Sequence, residues 1–233
     1  PDKNKMVSGD YPYHICNKLH KLGENAVFFQ GPQASIASNK SAFTASDSKE
    51  DDPPYKKMGE GVAEYLYNLP EDEYEEVKPI LNIRHREVVL PVTNYLYHIL
   101  GKLMIVTTIM VKTSGRKDDL AVITEIGYAE VGDKIKFALI PGELMPEILL
   151  GGFYSHEEAY TRTDWAMPSL KDIAGEKLIG IGLCNDAIGY IVPDNDYGSI
   201  FAPYHYEESV SVGEKTASTI VTEFMKMVEE VRG

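Results

Sequence analysis

The chain has 233 residues, is 43% apolar and carries a formal charge of −13, with a pI near 4.9. That length and apolar content can bury a sizeable core, as one large domain or two small ones. So acidic a balance argues against a nucleic-acid partner, whose phosphates need cations, and against simple electrostatic attachment to an anionic membrane.

The opening Pro1-Asp2-Lys3-Asn4-Lys5 is not a signal peptide, and the missing initial Met reads as a processed product or a fragment of a longer chain. Tyr13 to Leu22 carries Ile15, Leu19 and Leu22 at helical spacing and closes at Gly23. Asn25 to Phe29 reads as a buried strand. Gln33 to Tyr55, rich in Ser, Asn, Asp and Pro, reads as a long loop. Lys56 to Leu69 returns to helical spacing, and the acidic Pro70 to Lys78 reads as a solvated helical turn. Leu81 to Val92 alternates as a strand with Pro91 at its end or edge. Tyr95 to Leu103 is helical and Met104 to Val111 strand-like.

Leu120 to Ala129 and Lys134 to Ile140 flank Val131-Gly132-Asp133 as a hairpin. A short helix is expected over Glu143 to Leu150, irregular chain over Gly151 to Glu176, and a buried strand over Leu178 to Leu183. Ser211-Val212-Gly213-Glu214 fits a capping box. Behind it Ala217, Ile220, Val221, Phe224, Met227, Val228 and Val231 form one apolar stripe. These patterns predict an α/β or α+β class: a mixed β-sheet core covered by helices, with the C-terminal helix packed on the sheet. There is no internal repeat, and no apolar run approaches a bilayer-spanning length. Cys16 and Cys184 read as two buried reduced thiols, with a disulfide as the alternative.

Two segments carry the chemical signal. Leu139-Ile140-Pro141-Gly142-Glu143 and Gly182-Leu183-Cys184-Asn185-Asp186-Ala187-Ile188-Gly189-Tyr190 are apolar strands that stop and present polar groups. In open α/β sheets such strand ends collect ligands. The plainer alternatives are that Glu143 complements a helix dipole and that Asn185 and Asp186 close a turn. Tyr204, Tyr206, Glu207 and Glu208 add a Tyr/Glu-rich segment that also reads as a surface loop. Pro193 to Gly198 starts like a calcium loop but lacks the required glutamate. The histidines form no HxxxH or HxH pair, and no nucleophile elbow or phosphate loop is present.

Together these segments resemble the neutral/alkaline ceramidases, zinc-dependent amidases that cleave the N-acyl bond of ceramide. Val7-Ser8-Gly9-Asp10-Tyr11-Pro12 resembles a Ser-Asp segment of that family, and Phe28-Phe29-Gln30-Gly31 the strand before its catalytic serine loop. Ile140-Pro141-Gly142-Glu143 resembles its Pro-Gly-Glu motif. The run from Gly182 to Tyr190, with Tyr206-Glu207 and Gly213, follows its Gly-Leu-x-Asn-x5-Tyr and Tyr-Glu-x5-Gly order; Ser41 to Thr124 matches weakly.

The resemblance implies that residues 1–233 are a single domain or the C-terminal portion of a larger ceramidase-like catalytic domain. It implies Glu143 and Tyr190 as zinc ligands, two histidines supplied from outside this chain, and Asn185 and Asp186 at the substrate rim. Zinc suits carboxylate and imidazole, and stabilises a phenolate otherwise formed near pH ~10. Aligning through Asn39 sets Ala37 where the family's serine stands, with Ser35 and Ser38 as neighbours; a small shift makes Ser38 the nucleophile. Otherwise the chemistry falls to zinc-activated water, or ceramidase activity is lost. The implied function is part of a zinc-dependent hydrolase of an N-acyl amide bond, acting on a small or lipid-like amide. Alternatives are a metallohydrolase for another small substrate and a non-catalytic binding or assembly domain. Implied partners are the missing N-terminal portion or a second copy, in a family commonly exported or membrane-associated.

Overall fold

A computed structural model describes residues 8–34, 36, 53–70, 76–103, 110–112, 120–132, 134–199 and 206–232. The chain divides into two compact units, Pro1–Phe29 with Ala37–Glu76, and Gln30–Ile36 with Val77–Gly233.

The smaller unit is a helix pair. Helix α1 (Asp10–Lys21) and helix α2 (Pro54–Tyr67) bury Ile15, Leu19 and Ala63 between them. Gly59 lets the helices approach, since a side chain there would meet Tyr11 O at 2.5 Å. Pro54 occupies the first turn of α2, where its missing N–H costs nothing. The helix therefore starts inside the stretch expected as a loop, while residues 37–52 and 71–75 fall outside the described chain. The strand expected over Asn25 to Phe29 does not form. Val27 and Phe29 are 77% and 60% exposed, and no ladder engages these residues.

The larger unit is built on a five-stranded sheet in the order β1-β3-β4-β6, with β2 also on β3. Strands β1 (Leu81–Pro91), β2 (Met110–Lys112), β3 (Leu120–Val131) and β4 (Ile135–Leu139) pair antiparallel around β3. The predicted hairpin turns at Gly132, whose φ of 65° suits a residue without a side chain. From β4 the chain runs on to a two-residue strand, β5 (Glu143–Leu144), and then to helices α4 (Pro146–Leu150) and α5 (Leu170–Ala174). It then returns as β6 (Leu178–Ile181), parallel to β4. Strand β7 (Tyr190–Ile191) pairs with β5. Helices α6 (Tyr206–Ser209) and α7 (Thr216–Arg232) complete the unit. The mixed sheet with its helices fulfils the predicted class. Among the described residues no helix is long and apolar enough to cross a membrane.

Four local expectations are corrected. Glu143 is not at a helix N-terminus, because Met145, which precedes Pro146, is held extended and the helix starts only at the proline. A helix, α5, sits inside the stretch expected to be irregular, started by a Ser169–Asp172 capping box that uses Asp where Glu or Gln is usual. Ser211 and Glu214 do not cap α7. The Glu214 amide donates to Thr93 Oγ1 at 3.3 Å, and the helix begins at Thr216. Its first turn is held by Asp194, which accepts from Ser218 N at 3.1 Å and pairs with Lys215 at 3.1 Å. Thus Asp194 of the calcium-like segment is engaged as a helix cap. Both cysteines are free thiols, half-buried rather than buried.

The apolar stripe of α7 lies on the sheet as predicted. Ala217, Ile220, Val221 and Phe224 are fully buried, and Phe224 meets Tyr128 of β3 edge-on at 5.8 Å. Beside this seam Arg86 of β1 reaches Glu223 at 3.0 Å and Glu230 across to α7. Phe224→Ala is expected to cost about 3–5 kcal/mol, as for other buried aromatic truncations. Urea denaturation should show a lower midpoint with an unchanged slope.

Candidate functional site

Glu143 and Tyr190 are brought together by strand pairing. Strands β5 and β7 run parallel with Glu143 opposite Tyr190 and Leu144 opposite Ile191. Opposed residues share a face, and paired strands lie about 4.8 Å apart. Backbone bonds join the flanking segments: Cys184 N to Ile140 O at 2.9 Å, Leu183 N to Gly142 O at 3.1 Å, Ile188 N to Pro141 O at 2.9 Å, and Glu143 N to Gly189 O at 2.9 Å. Two glycines permit this approach. A side chain on Gly142 would stand 2.5 Å from Gly189 O, and one on Gly189 would stand 1.9 Å from Val210 O. Leu183 and Asn185 take φ of 50° and 69°, a left-handed conformation that costs a leucine roughly 1–2 kcal/mol. Asn tolerates that region better.

The Tyr190 phenol is pushed up to about 12, first by burial, then by the charge of Glu143 and by its hydrogen bond to that side chain; Tyr206 and Glu207 add to the rise. Tyr206 also meets the Tyr190 ring edge-on, with centroids 5.9 Å apart. As it stands, Tyr190 is a neutral phenol beside the Glu143 carboxylate. A divalent cation between them would reverse that balance, because its charge favours phenolate over phenol.

Asn185 and Asp186 clasp strand β3. Asp186 Oδ2 accepts from Thr124 Oγ1 at 2.9 Å, and Asn185 Nδ2 donates to Glu125 Oε1 at 3.0 Å. Thr124 and Glu125 are successive strand residues and point to opposite faces, so the loop holds the strand from both. Glu125 Oε2 also accepts from His85 Nδ1 at 2.8 Å. Burial, then the charge of Glu125, raises the neighbouring Cys184 thiol, which makes it a poor nucleophile.

The start of α3 (Tyr95–Lys102) braces the other side. Buried Asn94 donates to the carbonyls of Glu208, Ser209 and Ser211 at 3.0, 3.2 and 2.7 Å. This holds the stretch whose Val210 O accepts Tyr190 N at 2.9 Å. The Tyr97 hydroxyl donates to Ile188 O at 3.0 Å, and its phenol is pushed up to about 12 by burial and then by Asp186. Glu208, expected on a surface loop, is buried and accepts from Gly198 N at 2.9 Å.

The segment before the serine loop also reaches this rim. Gln30 O accepts from Gly182 N at 2.9 Å, and Ala34 N donates to Leu144 O at 3.3 Å. Ser35, Ala37, Ser38 and Tyr204 lie outside the described residues. Glu125, Thr124, Asn94 and Tyr97 were not legible as site residues, because ordinary strand and helix-start positions carry no local motif.

As a metal site the arrangement supplies two donors. Among the described residues no group of three or more His, Cys, Asp and Glu side chains is placed to hold an ion. The carboxylate and phenol fit two positions of a four-coordinate zinc shell.

No family model and no curated protein matches the sequence. Among solved structures, the chain is similar to the neutral ceramidase from Pseudomonas aeruginosa, with a TM-score of 0.59 and 15% identity. The match covers 100% of this chain and 42% of that one, so these residues span less than half the neighbour's length. At that identity the likeness establishes a shared fold.

Two outcomes follow from the phenols. Tyr190 is expected to titrate near 12, and Glu143→Gln should lower that value by removing the adjacent charge, as read from phenolate absorbance against pH. For Tyr97, the stabilising neutral form is present below the unfolded value of 10.0 and is lost as pH rises toward about 12. Tyr97→Phe should cost about 1–2 kcal/mol at neutral pH by leaving the Ile188 carbonyl without its donor, and should flatten the alkaline fall in stability.

Proposed function

We propose that these residues form the Glu/Tyr portion of a ceramidase-like, zinc-dependent hydrolase domain that cleaves an N-acyl amide bond. The observation that supports it most directly is the pairing of Glu143 with Tyr190 on adjacent parallel strands, which sets the carboxylate beside the phenol. The shared fold with a neutral ceramidase and the motif order point the same way.

In this reading Glu143 and Tyr190 hold two positions on zinc, and two histidines from outside these 233 residues complete the set. When bound, zinc supplies a Lewis acid for the amide carbonyl and lowers the pKa of a coordinated water or nucleophile. The residues of this chain orient and position. Asn185 and Asp186 fix the rim through Glu125 and Thr124. The segment from Gln30 to Ala34 is bonded to that rim through Gly182 and Leu144, and Ser38, with Ser35 near it in sequence, is the proposed nucleophile. The substrate is a small or lipid-like amide.

Zinc determination on the natural polypeptide that carries these residues should give about one equivalent, one ion serving a mononuclear site. Glu143→Ala should weaken binding by at least about 100-fold, beyond the effect of losing an outer-shell partner. Zinc loading should also generate Tyr190 phenolate absorbance near neutral pH, and chelation should abolish amide hydrolysis. A zinc-free polypeptide, unchanged by Glu143→Ala, would leave a ceramidase-like scaffold acting as a binding or assembly domain.

A further inference from the structure

Both faces of the five-stranded sheet carry apolar rows, whereas α7 covers one. Directly paired residues share a face, so the register sorts the side chains. Val88, Ile126, Tyr128 and Ala138 belong to the face under α7 and are buried. On the opposite face Ile83, Ala129, Phe137 and Ile179 form one row across four strands, with Leu81 beside Val131 in the next row. The ends of that patch face solvent: Leu81 is 63%, Ile83 50% and Ile179 48% exposed. A sheet with one wet face alternates apolar with polar residues, and strands buried on both faces read as continuous apolar runs. Leu178-Ile179-Gly180-Ile181 is of the second kind, and Ile135, Phe137 and Leu139 put apolar groups on the open side of β4.

We infer that this open face is the seat of a second structural layer, folded from the part of a longer ceramidase-like polypeptide that lies outside these 233 residues. Size supports that occupant, because more than half of the structurally similar chain has no counterpart here. Charge argues against a second copy. Glu87 and Glu125 stand directly opposite on this same face, and a two-fold axis passing near them would bring two such acidic pairs together. The occupant instead brings apolar groups to the Ile83–Ile179 row and a cation toward Glu87. Position gives the third argument, which rests on the zinc reading above. The open face carries Glu125, tied to Asn185 in the loop that leads to Tyr190, so a layer seated there reaches the rim that lacks two donors.

Carbene footprinting of the natural polypeptide tests this, read by mass spectrometry at single residues. Leu81, Ile83 and Ile179 are expected to lose labelling to the level of buried Phe224, while Leu150, 57% exposed, stays labelled. Labelling of the three at the Leu150 level overturns the inference. Protection that disappears on dilution, together with a dimer mass by light scattering, also overturns it by assigning the face to a second copy. Zinc content measured on the same samples separates the two proposals. A protected face without zinc leaves the layer standing and removes the metal reading, whereas bound zinc with a labelled face does the reverse.

Discussion

The carbonyl of Val210 is the point on which the candidate site hangs. It accepts the Tyr190 amide at 2.9 Å, shares the Tyr97 hydroxyl proton with Ile188 O from 3.4 Å, and lies where any side chain on Gly189 would have to go. Val210 is itself fixed because Asn94 spends its amide group on three carbonyls around it. Burying a polar side chain that fully is tolerable only when its bonding capacity is used. Here that requirement doubles as a positioning device: the start of one helix fixes the segment to which the Tyr190 backbone is bonded.

The sheet serves the site less by carrying it than by ending beside it. Strand β4 stops at Leu139 opposite Gly127 and β2 pairs only as far as Val122, leaving residues 123–126 of β3 paired with β1 alone. The loop after β6 fills that place and borrows Thr124 and Glu125 as anchor points. Left-handed Leu183 and Asn185 carry the chain through the bend. Their unfavourable backbone is held by the bonds of Leu183 and Cys184 to the Ile140–Gly142 segment, as expected where neighbouring structure over-determines a strained conformation.

Much of this fold was legible in the sequence, and the residues explain which parts were. Long, regular patterns survive: the alternation of β1, the hairpin of β3 and β4, and the α7 stripe all rest on periodicities that packing enforces. Short apolar runs do not carry that information. Val27-Phe28-Phe29 looks like Leu178-Ile179, yet only the second finds a partner strand, and pairing is a long-range fact. Glu143 was singled out by its motif but expected on the wrong element, since two residues of strand leave no period to detect. Its pairing with Tyr190 depends on a register joining distant segments. The braces at Asn94, Tyr97 and Glu125 had no local signal at all, because their roles come from what folding places beside them.

The crowding around Gly142 and Gly189 has a consequence for how such sequences are classified. Both glycines are demanded by backbone clearance, whatever chemistry the rim performs, and a chain with no chemistry there would still need them to keep its shape. These two letters of the signature segments are therefore architectural. The informative letters are Glu143 and Tyr190, whose replacement would leave the strand pairing standing while silencing the proposed function. A chain that keeps the glycines but loses that pair should be classed as an inheritor of the scaffold, and one that keeps both as a candidate hydrolase.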